Sequence, residues 1–389
     1  MGEMSFTGYP RRGGEVGMRN LLAIIPTVFC VNEGASALGD RIKGSKPLLH
    51  DHGCCELKPD LDRVRHVLCG LIANPNVGGC VIVSLGCEGV NYKELLAVAQ
   101  EEGKPALHAE LQEEGGMTKC IESCMSKIQA LLEEMNAIER REFPASKIVM
   151  GIKCGSSDTT SGLAANPAVG KVTDRLVEQG GRVIFGETTE IIGAEQLLVK
   201  RCIDAVVERA LLEMVMRVEE RVKRVGVDMR GSQPTPGNIR GGLTTIEEKS
   251  LGAICKAGSA PIAGVLEYGQ SAKDQGLFVM DSPGKENEIM TGLAASGANL
   301  IVFTTGGGAP QGFPIVPVIK VASNPLKVRK MREHIDVDAT GIFDGTSSLE
   351  EIGDQIWRVL LKVASGSLTQ AEKLSYDKTI GIYTLYPSI

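Results

Sequence analysis

Residues 147–158 read KIVMGIKCGSSD: a short apolar run that passes directly into a cysteine, a glycine and a small polar loop. Apolar residues fall on both faces of the run, which suits a strand buried between two helix layers. The same form recurs along the chain, at 21–31 (LLAIIPTVFCV), 80–85 (CVIVSL), 182–185 (RVIF), 263–266 (AGVL), 276–280 (GLFVM) and 299–304 (NLIVFT). Between these runs, residues 61–73, 119–141 and 194–225 space their apolar side chains as helices do. Strands alternating with helices predict an α/β fold of parallel sheets flanked by helices. Pro and Gly cluster at 228–242 (DMRGSQPTPGNIRGG). A boundary there divides the chain into an N-terminal α/β lobe, 1–230, carrying Cys/His loops, and a C-terminal α/β lobe, 231–389, carrying Gly-rich loops.

The composition narrows the function. Of 389 residues, 43% are hydrophobic and 23% charged, as in a folded globular protein, and the net charge of −6 gives no bulk attraction to nucleic acid or an anionic membrane. No run reaches the ~18 apolar residues a membrane span needs. Eleven cysteines, an odd number in a long chain whose first ten residues do not resemble a signal peptide, read as reduced thiols of a cytoplasmic protein. Aromatic residues, at 4%, are too few for a site built on stacking, and 47 glycines point to tight turns.

In open α/β sheets ligands bind beyond the carboxyl ends of the strands. Those positions hold Cys30 and Asn32; His50, Asp51, His52 and Cys54; Cys87 and Glu88; Cys154 and Asp158; and Glu187 and Glu190. No CxxC pairs indicate a zinc ribbon. Thiolates with imidazole and carboxylate suit Fe(II) or another divalent metal, and several thiolates suit an iron–sulfur cluster, so Cys54, Cys87, Cys154 and Asp158 are the candidate metal ligands. His50 is the candidate acid–base group, with Lys249 and Glu88 as further catalytic candidates. Gly237–Gly242 ahead of a helix, and Gly306, Gly307 and Gly308 after a strand, are candidate anion cradles, with Arg19, Asn20 and Arg240 as candidate substrate-binding groups. Neither glycine segment fits a nucleotide motif.

Several blocks together resemble the altronate and galactarate dehydratases: GYPR with GMRN near the start, IIPTVFC, HDHGC, NPNVGG followed by SLGCE, KCGSSDTTSGLAANPAVG, GNIRGGLTTIEEKSLG, and FVMDSPG with FTTGGG. They cover about residues 8–325. The resemblance implies a lyase that eliminates a β-substituent from a 2-hydroxy acid, leaving an enol that tautomerises to a 2-oxo acid. A metal or cationic clamp would stabilise the enediolate while a base takes the C2 proton. This chain departs from the family pattern at Arg12–Glu15, at Arg240 and at the glycines 306–308, and it begins where many dehydratases have already completed a small N-terminal domain. These departures favour the carbon–sulfur branch of the family, which releases sulfite from sulfolactate to give pyruvate and works with a separate small subunit. The alternatives are a sugar-acid dehydratase or a non-catalytic scaffold subunit. A heteromeric, oligomeric, iron-dependent enzyme with a small anionic substrate is expected.

Overall fold

The computed structural model describes residues 4–389. Two parallel sheets organise the chain. The smaller contains β1 (Leu21–Pro26), β2 (Lys46–Pro47), β3 (Val77–Ser84) and β4 (Ala106–Glu110), in the order β2-β1-β3-β4. The larger contains β5 (Val149–Gly155), β6 (Arg182–Phe185), β7 (Ile262–Leu266), β8 (Gly276–Met280), β9 (Leu300–Thr305), β10 (Val318–Ala322) and β11 (Val337–Asp338), in the order β7-β8-β6-β5-β9-β10-β11. A three-stranded antiparallel sheet formed by Ser5–Pro10, Val16–Gly17 and Arg141–Pro144 completes the set.

Alternation along each strand explains the layers. In β1, Ala23 and Ile25 join Val64, Val67, Leu68 and Leu71 of helix α1 (Lys58–Ala73). Leu22 and Ile24 point the other way, onto Ile121, Cys124, Ile128 and Leu131 of α2 (Met117–Asn136). Each fully buried aliphatic side chain stabilises by about 1.5–3 kcal/mol, so both helices are fixed by their apolar stripes. The expected helix over 194–225 is two helices, Glu195–Val199 and Ala205–Arg224, because Asp204 accepts from the backbone N–H groups of Val206 and Val207 and starts a new helix.

The expected boundary at residue 230 falls inside the larger sheet, since β5 and β6 precede it and β7–β11 follow it. The sheets instead change over between Asn136 and Val149. They also share one apolar layer: α1 packs on the helix Glu286–Ala295, so closely that a Cβ on Gly70 would lie 2.4 Å from the Ala295 carbonyl oxygen. The Pro/Gly-rich segment 228–242 is a loop over the carboxyl end of the larger sheet, not a linker. The chain runs outward from β5 to β6 on one side, then returns across it from β8 to β9. The carboxyl ends of these strands therefore form the crevice where α/β sheets place ligands.

Candidate active site

The register at this crevice sets Lys153 of β5 beside Phe303 of β9 and Cys154 beside Thr304. Lys153 is fully buried, with its ammonium 4.3 Å from the Phe303 ring centroid and no hydrogen-bond partner among the described residues. Its neighbours are the carboxylates of Glu187 at 3.8 Å and Glu286 at 3.7 Å. Glu187 follows β6 in a left-handed conformation, φ 68°, which a non-glycine residue adopts at a cost. It is held there by its N–H to Ser282 Oγ (2.8 Å) and by Cys154 N–H donating to its Oε2 (2.8 Å). Lys256 reaches in from the far side, 2.5 Å from Glu187 Oε2 and 3.0 Å from Glu190 Oε2. Lys249, on the helix Ile246–Ile254, lies 3.3 Å from Glu190 Oε1 and donates to Gln233 Oε1 at 2.7 Å.

Three ammonium groups thus face two buried carboxylates. Burial and the Glu190 charge push the Glu187 carboxyl up to about 7. Burial also opposes ionisation of Glu190, but Lys256 and Lys249 outweigh it and hold that carboxyl down at about 2. Lys256 stays protonated: burial works against its charge, and Glu187 and Glu190 more than restore it. A cavity of about 560 Å³ opens in front of the array, lined by Lys249, Glu190 and Glu286, by Ser156, Ser157 and Ser282, and by Arg221, Lys285, Gln233 and Tyr383 among others. Its lining is mixed, with cations and hydroxyls that suit a small anion. The array behind it can stabilise negative charge that develops on a bound oxyanion.

Of the expected site residues, Lys249 lies on the cavity wall. Cys154 also lines it, but its thiol is fully buried and pushed up by burial and by Glu190, so it is not a thiolate. Asp158 is saturated: Oδ1 accepts from Thr160 and Ser161, and Oδ2 from Asn324. It starts the helical segment that follows rather than offering lone pairs to a metal. The glycines of the expected cradles are packed into their own loops. Gly306 and Gly307 let the loop after β9 press on the loop after β5; a Cβ on Gly306 would lie 2.2 Å from the Asp158 carboxylate. The N–H of Gly307 goes to Ser156 O, and that of Gly308 to Thr305 Oγ1. Gly237–Gly242 likewise spends the N–H groups of Gly241 and Gly242 within its own turn. Arg240 is exposed, with no charged partner among the described residues.

Arg19 and Asn20 are not at the crevice. Arg19 is buried, paired with Glu372 at 2.7 Å and donating to the carbonyls of Val363 and Ser367, so it braces the C-terminal helices. Asn20 accepts from Arg11 and donates to Met135 O.

His50, Cys54, Cys87 and Glu88 form a second group, at the carboxyl end of the smaller sheet. His50 is buried, its Nε2–H donating to Pro26 O (2.8 Å) and its Nδ1 accepting from His52 N–H (3.2 Å). Burial holds its ring down at about 4. Both nitrogens are engaged within the loops, so His50 braces them in this structure. Glu88 accepts from Thr27 Oγ1 and from the N–H groups of Leu85 and Gly86, and closes its own loop in the same way. The four expected metal ligands are therefore divided between two sheets. Among the described residues no three His, Cys, Asp or Glu side chains close on a single metal ion. Cys154 and Asp158 do not fit such a centre, and the thiols of the smaller sheet stand apart from them.

Lys153 and Lys256 were missed. Each interrupts an apolar run, KIVMGIKCG and LGAICKAG, and a lysine inside a run that reads as fully buried is the signal that would have found them.

Family models match nearly the whole chain: the second domain of D-galactarate dehydratase/altronate hydrolase over residues 8–136, and the C-terminal part of D-galactarate/altronate dehydratase over residues 145–387. Among individual proteins, the chain is 38% identical to (2R)-sulfolactate sulfo-lyase subunit beta of Chromohalobacter salexigens, over 99% of this chain and 98% of that protein. It is 31% identical to altronate dehydratase of Bacillus subtilis, over 96% of this chain and 76% of that protein. To galactarate dehydratase (L-threo-forming) of Escherichia coli it is 33% identical, over 93% and 73%.

Proposed function

The chain belongs to the D-galactarate/altronate dehydratase family, and on that premise we propose that it is the large subunit of a lyase that cleaves (2R)-3-sulfolactate to pyruvate and sulfite together with a small subunit. The lyase reading rests on one observation above the others: the Lys153–Glu187–Lys256–Glu190–Lys249 array at the crevice of the larger sheet. Sulfolactate carries two negative charges, and removal of its C2 proton would add charge to the carboxylate oxygens as the enediolate forms. A buried array with three ammonium groups favours that state without reorganising. We assign the Lys249 ammonium to these oxygens, and removal of the C2 proton to the Glu190 carboxylate beside it on the wall. Arg221 and Lys285 face the same cavity and suit the sulfonate. In the elimination the C2–H electron pair becomes the C2–C3 double bond. The C3–S pair leaves with sulfite, and the enol tautomerises to pyruvate.

The choice of sulfite over water as leaving group is supported by the relative named sulfo-lyase subunit beta, which aligns along almost its full length, whereas the dehydratases align over about three quarters of theirs. The test is to supply the chain and its small subunit with sulfolactate and to measure sulfite and pyruvate together. A 2-keto-3-deoxy acid formed from altronate or galactarate, with no sulfite from sulfolactate, would transfer the chain to the dehydratases. No product from any of these would leave the scaffold reading.

A further inference from the structure

The eleven cysteines separate sharply by exposure. Seven are buried or half-buried, and four, Cys30, Cys54, Cys55 and Cys87, are exposed. All four exposed thiols lie in the loops that follow β1, β2 and β3, three neighbouring strands of the smaller sheet. The loops are tied together at these residues. Phe29 N–H donates to His52 O and Gly89 N–H to Gly53 O, both at 2.9 Å. His50 fixes the middle loop to Pro26, and Glu88 fixes the third to Thr27. Cys54 and Cys55 bring their sulfurs to 3.5 Å. A protein gains nothing from four exposed thiols in one patch, because they oxidise and cross-link.

We infer that the carboxyl end of the smaller sheet binds an iron–sulfur cluster through Cys30, Cys87 and the Cys54–Cys55 pair, with thiolates drawn from all three loops. Thiolates are the ligands such clusters take, and a polynuclear centre draws them from points farther apart than a single ion does. Each thiol releases its proton on ligation. The His50 and Glu88 braces then hold the loops in place, which accounts for two polar residues that do no chemistry of their own. The site is independent of the leaving group proposed above, and it excludes Cys154 and Asp158 from metal binding. The C-terminal segment connects it to the cavity: Ile389 N–H donates to Cys55 O, His52 Nε2–H donates to Ile382 O, and Tyr383 lines the cavity wall.

The full-length chain, reconstituted without oxygen with ferrous iron and sulfide, is expected to gain the visible absorption of an iron–sulfur cluster, with iron and acid-labile sulfide bound in equal amounts. Cys30→Ser, Cys87→Ser and the double variant Cys54→Ser/Cys55→Ser are each expected to lose at least about tenfold of that absorption. Cys154→Ser and Cys202→Ser are expected to keep it. Should a loop variant fail to fold, alkylation of the wild-type chain followed by peptide mass analysis replaces it: the four patch cysteines are modified before reconstitution and protected after it. A wild-type chain that binds no sulfide, loop variants that keep full absorption, or patch cysteines that alkylate equally before and after would each overturn the proposal.

Discussion

Replacing Lys256 by Met removes the ammonium that lies 2.5 Å from Glu187 and 3.0 Å from Glu190, and leaves Lys249 at 3.3 Å from Glu190 and Lys153 at 3.8 Å from Glu187 as the nearest cations. Breaking a buried ion pair from one side costs about 3–5 kcal/mol. The Glu190 carboxyl gives a second, separate magnitude: held at about 2 against an ordinary 4.5, it represents about 3 kcal/mol of stability at neutral pH. The sign follows from linkage. A lowered carboxyl contributes fully above its unfolded value and loses its contribution as pH falls toward 2. Without Lys256 both carboxyls take up protons more readily, so the deficit of the variant is largest at pH 7 and shrinks by pH 4. Urea unfolding of wild type and Lys256→Met at the two pH values, with an unchanged slope in denaturant, measures this directly. A deficit under about 1 kcal/mol at pH 7, or one independent of pH, would refute the buried array as described.

Other perturbations separate the roles assigned here. Lys249→Met is expected to lower turnover by about 10²–10⁴-fold; because it also takes one of two ammonium partners from the buried Glu190, the melting temperature should fall, but by less than in Lys256→Met, which unpairs both carboxyls. Glu187 is raised to about 7, so wild-type stability falls as pH rises from about 4.5 to 7; Glu187→Gln should flatten that slope in a series of unfolding curves. Arg19→Met strands the partly buried Glu372 and should cost about 3 kcal/mol in chemical unfolding while leaving KM within about twofold, whereas a substrate clamp would raise KM strongly. Gly306→Ala drives a Cβ into the Asp158 carboxylate and should destabilise by about 1–3 kcal/mol, read as a lower melting temperature.

The buried strands were legible because apolar runs such as CVIVSL and GLFVM carry their own signal. β4 and β10 were not: ALHAE alternates with polar residues, and VIKVA is interrupted by Lys320, which is nevertheless fully buried. The loops after the strands were legible as loops. Which of them meet was invisible, because strand order decides it, and only the crossing from β8 to β9 shows that the loops after β5, β6 and β9 face one crevice while those after β1, β2 and β3 face another. Loops rich in Gly and Pro read alike as linkers or as site walls, and segment 228–242 is the second. Charged residues read equally well as clamps or as braces. Arg19, Asp158, His50 and Glu88 each hold at least one partner far away in sequence, Glu372, Asn324, Pro26 and Thr27 respectively, which the sequence does not show.

The most direct test of the account is the joint appearance of sulfite and pyruvate when the chain and its small subunit meet (2R)-sulfolactate. Equal amounts of the two products, abolished by Lys249→Met in a folded protein, are the predicted result. Full sulfite release by that variant, or a 2-keto-3-deoxy acid from altronate with no sulfite from sulfolactate, would contradict it.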